Sequence, residues 1–134
     1  MAEKIRKETD IDFEIHFCEG LLAHRPDFVP ALTVLGDLYT KKGLYAQGLE
    51  IDKRLCQMVS DDPIVFYNLA CSYSLMNQLD QAFSAMKLAI DNGYNDFRYM
   101  GEDQDLENLW KDSRFTDYLT RLKTNRHVST EKQT

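Results

Sequence analysis

Apolar residues recur along this chain at three- and four-residue spacings, not in the strict alternation of a half-buried strand, and that period predicts a nearly all-helical protein. From Leu32 the series Leu32, Leu35, Leu38 and Tyr39 marks one helical face, and beyond Gly43 the series Leu49, Leu55, Cys56 and Val59 marks a second. Two such faces either side of a glycine predict an antiparallel helix hairpin hinged at Gly43. The pattern returns 34 residues later as Phe66, Leu69 and Tyr73, a polar break at Asn77 and Gln78, then Ala82, Met86, Ala89 and Ile90. Leu35 and Leu69, Tyr39 and Tyr73, Gln47 and Gln81, and Lys53 and Lys87 are identical pairs at that separation, so the period is a repeat.

The repeat resembles the tetratricopeptide repeat, whose signature runs from a large apolar residue through Leu-Gly, Tyr, a small residue and an aromatic to a proline. Leu32, Leu35, Gly36 and Tyr39 match its first half, and Phe66, Leu69, Ala70, Tyr73 and Ala82 match in the second copy, where Met86 stands for the aromatic. Small residues at Gly36, Ala70 and Ala82 allow close helix approach. In the first copy Gly48 takes the small position, at about 1 kcal/mol of helix propensity relative to Ala, and Asp52 replaces the aromatic. The first hairpin is therefore expected to be the looser one. The resemblance implies an all-α, right-handed α-solenoid of antiparallel helix hairpins.

The expected layout is a single domain, 1–124, made of a half repeat over 10–25, repeats over 29–62 and 63–96, and a C-terminal cap over 97–124. The cap opens as a third hairpin would but is expected to break at Gly101. It still carries Leu106, Leu109 and Trp110 within one turn, and Phe115, Leu119 and Leu122 on one face after an Asp112 or Ser113 N-cap. Residues 125–134 hold one apolar side chain in ten and are expected to be a disordered tail.

Composition narrows the function classes. The 134 residues are 43% apolar, enough for one core, and the net charge of −6 leaves no long basic surface to follow a nucleic-acid backbone. No window of eighteen apolar residues and no leader-like segment is present in this sequence, so a membrane association is not expected and a cytoplasmic location is. Three cysteines, Cys18, Cys56 and Cys71, lack CxxC spacing and read as reduced, packed thiols.

No chemistry-bearing constellation emerges. His16 and Cys18 would point about 200° apart on a helix, which disfavours a metal site. Asp103, Asp105 and Glu107 have alternate spacing but lack the glycine and glutamate of a calcium loop, and read as a solvated acidic turn. Cys71 has no histidine beside it in the repeat, and GxGxxG, GxxxxGK and GxSxG are absent. The expectation is a non-enzyme with neither cofactor nor metal; a hydrolase using His16 or His24 would need a converging nucleophile that these positions do not supply.

The tetratricopeptide resemblance implies protein–protein interaction, with first helices lining a concave groove through Pro30, Thr33, Val34, Asp37 and Thr40, then Ile64, Tyr67, Asn68, Cys71 and Ser74. Val34, Asp37, Lys41, Ile64, Tyr67, Asn68, Cys71 and Leu75 are the candidate partner-binding residues, suited to an extended or helical peptide. The alternative for Tyr67 and Asn68 is internal use, Tyr67 packing on the cap and Asn68 bonding locally. Members of the family that hold C-terminal carboxylates present several cations and amides. Only Asn68 and Arg98 correspond here, and Glu102 would repel a carboxylate, so that ligand is not expected.

A second surface is the first helix. Ile11, Ile15, Cys18 and Leu22 form one stripe, while Phe13 and Phe17 fall on another side with no helix left in this sequence to shield them. Ile11, Phe13 and Phe17 are therefore candidates for self-association, as a homodimer, or for a partner's helix; residues 2–9 folding back is the alternative. A second functional class stays open, a small-molecule sensor or enzyme accessory holding an apolar ligand near Tyr67, Cys71 and Trp110.

Overall fold

The computed structural model describes the backbone of residues 2–133 and the side chains of residues 10–125. Eight α-helices follow one another among the described residues: α1 Ala2–His24, α2 Val29–Lys41, α3 Tyr45–Met58, α4 Pro63–Leu75, α5 Leu79–Asp91, α6 Phe97–Glu102, α7 Glu107–Trp110 and α8 Ser113–Gln133. A 3-10 turn, Gln104–Leu106, links α6 to α7. The starts of α2 and α4, and of α3 and α5, are each 34 residues apart. The tail expected to be disordered, and residues 2–9, fall for the most part outside the described side chains.

Turn chemistry explains where the helices stop. Gly43 adopts φ +84° and Gly93 φ +108°, a left-handed conformation that costs glycine little, and Asn77 takes the equivalent place between α4 and α5 at φ 58°. After α2 the Gly43 and Leu44 amides donate back to the Thr40 and Tyr39 carbonyls, and after α4 the Asn77 and Gln78 amides repeat this with Ser74 and Tyr73. Helix starts use short acids as caps: Asp62 accepts from the Ile64 amide at 2.9 Å with Pro63 as the first helical residue, and Asp112 accepts from the Arg114 amide at 3.0 Å.

Two apolar clusters run through the stack. Ile15 and Cys18 of α1 pack on Leu32, Leu35, Leu38 and Tyr39 of α2 and on Ile51 and Leu55 of α3. Phe66, Leu69 and Ala70 of α4 meet Ala82, Met86, Ala89 and Ile90 of α5 and then Met100, Leu106, Leu109 and Phe115 of the cap. Each fully buried large side chain stabilises the fold by about 1.5–3 kcal/mol. Polar ties join successive elements: the Tyr39 hydroxyl donates to Glu19 at 2.7 Å, and the Leu109 amide donates to the Ser74 hydroxyl at 3.2 Å.

Two expectations change. The cap helix α6 runs through Gly101 to Glu102 and breaks at Asp103, because Gly101 faces open space and meets no demand for a turn there. Gly48 is a site of close approach rather than simple weakness: a Cβ there would lie 2.9 Å from Thr40 Oγ1 and 3.4 Å from the Gly36 carbonyl oxygen. Gly36 faces α3 just as closely, with Ile51 Cγ2 3.2 Å from where its own Cβ would stand.

Candidate functional site

Helices α2 and α4, each packed on α3, enclose an open groove of about 460 Å³ together with α6 and the 103–105 turn. Thr33, Gly36, Asp37 and Thr40 line it from α2, Ile64, Tyr67, Asn68, Cys71 and Ser72 from α4, and Asp52 and Leu55 from α3 beneath. Tyr94, Asp96, Tyr99, Asp103 and Asp105 form the far wall.

Asp37, Ile64, Tyr67, Asn68 and Cys71 are thus brought together on this groove, whereas Val34, Lys41 and Leu75 are not among its lining residues. Val34 is exposed beside it, Leu75 is half-buried, and Lys41 extends along α2 to pair with Asp37 at 2.9 Å. Lys41 and Leu75 are the last residues of α2 and α4, beyond the last lining residues Thr40 and Ser72. Trp110, expected near Tyr67 and Cys71, lies elsewhere. Its indole N–H donates to the Met100 carbonyl at 3.0 Å, and its ring packs edge-on against Phe115 and lines a separate apolar hollow with Phe97, Leu119 and Leu122.

Tyr67 is the hinge between the repeat and the cap. Its ring stacks on Tyr94 at 4.4 Å and 11°, Tyr99 tilts against it at 6.0 Å, and its hydroxyl donates to Asp103 Oδ2 at 2.7 Å. At 4% exposure it serves mainly as an internal contact, the packing alternative drawn from the sequence. Burial, then the bond to Asp103, pushes its phenol far above the ordinary range, so it stays a neutral donor. Asn68 remains exposed on the groove floor.

The sequence reading missed most of the far wall. Asp103 is not a freely solvated turn residue: one oxygen accepts from Tyr67 and, at 3.7 Å, from the Cys71 thiol, and the other caps the Asp105 amide at 3.0 Å. Burial raises the Asp105 carboxyl and nearby Asp103 adds to it. Tyr99 is raised first by Asp103. Burial, followed by Asp103, also lifts the Cys71 thiol well above its usual value, leaving it protonated rather than nucleophilic.

Asp52 forms the floor. It is 6% exposed, takes the Ser72 hydroxyl in a hydrogen bond across α3 and α4, and titrates at about 6 because burial outweighs that bond, with Asp37 adding a smaller push. Among the described residues, none of Asp52, Asp96, Asp103 and Asp105 is in an ion pair and no Lys, Arg or His lines the groove. The groove is a strongly acidic, tyrosine-walled channel. Among the described residues there is also no cluster of metal-binding side chains and no helix long and apolar enough to cross a membrane.

At the chain's N-terminal end, Phe13 and Phe17 are 71% and 60% exposed. Ile11, also a candidate for self-association, stays on the stripe it shares with Ile15, Cys18 and Leu22. It is half-buried against the Ile15, Cys18 and Leu32 cluster, because four-residue spacing from Ile15 turns it toward α2 and away from the two phenylalanines.

No family model matches the chain. Over 87 residues it is 34% identical to a curated chloroplastic protein of Arabidopsis thaliana, an alignment that takes in 60% of this chain and 25% of that protein. The chain thus spans about a quarter of the length of the curated relative it matches. In shape it is similar to crystal structures of MamA, one with TM-score 0.61 and 24% identity over 68% of this chain and 50% of that one. A MamA segment from Desulfovibrio magneticus RS-1 superimposes with TM-score 0.67 and 17% identity over 90% of this chain and 71% of that one. Together with the stacked hairpins, these likenesses identify the fold as an all-α, right-handed solenoid of the tetratricopeptide-like kind.

Proposed function

We propose that the chain is a non-catalytic protein-interaction module of the tetratricopeptide-repeat family, and that it holds a peptide segment in the groove between α2 and α4. The observation that carries this reading is the groove itself, about 460 Å³ and open to solvent, with Ile64 and Asn68 exposed on its floor. An apolar side chain beside an amide that can bond a peptide main chain is a fitting floor for an extended segment. The buried, protonated Cys71 and the lack of any histidine in the groove lining support a binding role over catalysis. The displaced Trp110 and the acidic wall disfavour an apolar small molecule as occupant.

A peptide array probed with the intact protein and with an Ile64→Arg, Asn68→Ala variant tests the reading. Both residues are exposed, so the variant should keep its helicity and melting temperature while losing the bound peptides. Capture of the same peptides by both proteins would sink the groove assignment.

Exposed Phe13 and Phe17 support a second contact, with another copy of the chain or a partner's helix. Phe13→Ser, Phe17→Ser should lower the solution mass from dimer to monomer; an unchanged monomer mass before and after rules self-association out. The three unpaired cysteines suit a reducing compartment such as the cytoplasm.

A further inference from the structure

Resting on the groove reading above, the charge of the groove says what kind of segment it takes. Carboxylates stand on three sides of it, Asp52 beneath, Asp37 on α2, and Asp103 and Asp105 on the far wall, while among the described residues no cationic side chain lines it. Among the described residues, Lys41 at the rim already pairs with Asp37, and Arg98, next to Tyr99 on α6, is paired with Glu102. A second observation is independent of that cluster. Asp52 is more than nine-tenths buried, yet only one of its oxygens has a donor among the described residues, the Ser72 hydroxyl. Its other oxygen, Oδ1, faces Gly36 and would stand 3.1 Å from a Cβ built there. Both residues line the groove. Among the described residues no buried side-chain oxygen lacks a hydrogen-bond partner, so Oδ1, which has no protein donor, is open on the groove side, where an arriving cation would reach it.

The walls fit the same visitor. Tyr99 is 53% exposed, and its ring lies against Tyr67 close to Asp103. Ammonium and guanidinium groups favour the face of an aromatic ring, the more so beside a carboxylate. Ile64 and Asn68 supply contacts for the aliphatic stem and the peptide amides next to that charge.

We propose that the groove binds a Lys- or Arg-bearing peptide segment, with a basic side chain lying along Tyr99 and its head between Asp103 and Asp105, and Asp52 drawing on the same charge from below. The occupant is a peptide rather than a free polyamine because the groove offers an amide and an apolar floor in addition to its acids.

Fluorescent nonapeptides of three kinds, basic, acidic and apolar, each with glycine and serine spacers, provide the probe, read by anisotropy at low and at physiological salt. The basic peptide should bind, and Asp103→Asn, Asp105→Asn should weaken it by about tenfold or more. Asparagine keeps the cap of the 103–105 turn and an acceptor for Tyr67. A charge-matched control, Asp91→Asn, Asp117→Asn, removes two exposed acids outside the groove and should leave affinity within about twofold. Equal loss in the two variants would reduce the effect to net charge and overturn the proposal. Binding of the acidic or apolar peptide that depends on Ile64 and Asn68 but not on Asp103 and Asp105 would overturn the basic preference and leave the groove reading standing. Absence of any groove-dependent binding would overturn both. Spermine binding as tightly as the basic peptide would overturn the peptide part.

Discussion

Asp52 and Met86 are 34 residues apart and occupy the same place in consecutive hairpins, each buried on the second helix where it packs against the first. Met86 lies wholly inside the apolar cluster that joins the second hairpin to the cap. Asp52 lies beneath the groove with one hydroxyl as its protein donor among the described residues. The small position four residues earlier differs in the same sense, Ala82 in the second hairpin and Gly48 in the first. The second hairpin is built for packing, and the first keeps, at the same positions, residues that a core alone would not select. A helical repeat can therefore carry different chemistry at one position in successive copies, an acid that lines the groove in the first and an apolar side chain in the core of the second, without any change of backbone plan.

Exchanging the two chemistries should break the comparison most severely. Met86→Asp places a carboxylate among Leu69, Ala70, Leu106 and Leu109 with no donor provided for it, and should cost about 4 kcal/mol or more. Urea unfolding of this variant would read the loss as a lower midpoint, or as a chain that does not fold at pH 7. A loss under about 1 kcal/mol would mean that the second hairpin tolerates the acid as well as the first.

The reverse change should stabilise. Asp52 titrates at about 6, against the usual carboxylate value near 3.8, because burial disfavours its charge. Between about pH 4 and pH 6 the native state therefore holds a proton that the unfolded chain has released. Stability contributed by this group falls as pH rises through that window and stays at its lower value above it. Asp52→Asn removes the charge while keeping an acceptor for Ser72. The expected outcome is a gain on the order of 2–3 kcal/mol at pH 7, vanishing below pH 4, with a flattened pH dependence. Weaker binding of the basic peptide by the same, more stable variant would separate a ligand-facing role from a structural one, since a residue serving only the core would lose stability and binding together.

How much of this was legible in the chain follows from the reach of each contact. The 34-residue period is a local pattern repeated, so Leu32, Leu35, Leu38 and Tyr39, and later Phe66, Leu69 and Met86, could be placed on buried faces from spacing alone. The groove positions come from the family resemblance instead: Asp37, Ile64, Tyr67, Asn68 and Cys71 line one groove, while Val34, Lys41 and Leu75, named with them, do not. It could not supply the opposite wall, because Tyr94, Tyr99, Asp103 and Asp105 lie beyond the last full hairpin, where the period stops specifying what folds onto what. Tyr67 meets Asp103 across 36 residues and Asp52 meets Ser72 across 20, in a different hairpin. An acidic run such as EDQDLE reads as solvated until a tyrosine from elsewhere is seen to donate to it. The nearest signal was negative: Asp52 and Gly48 stood out as departures from the repeat, and departures from a packing rule are where function is to be sought.

Gly48 gives the smallest expected effect and the finest test. Alanine is the better helix former by about 1 kcal/mol, so on propensity alone Gly48→Ala would tighten the first hairpin. The added Cβ, however, would press to 2.9 Å from Thr40 Oγ1, whose hydroxyl donates to the Gly36 carbonyl at 3.1 Å where α2 crosses α3. Thr40 has a second χ1 rotamer within reach in a helix, but moving its oxygen off Gly48 disturbs the bond it donates to the Gly36 carbonyl, so it does not swing away freely. Overpacking of this kind typically costs about 1–3 kcal/mol, enough to outweigh the propensity gain. Gly48→Ala should therefore destabilise by about 1 kcal/mol in the wild-type background. The same substitution made on Thr40→Ala should instead stabilise by up to about 1 kcal/mol, because the obstructing oxygen is gone and propensity alone remains. A double-mutant cycle read by thermal or urea unfolding checks the change of sign. Equal effects in both backgrounds would show that the glycine answers to helix propensity and not to the close crossing of α2 and α3 that distinguishes the first hairpin from the second.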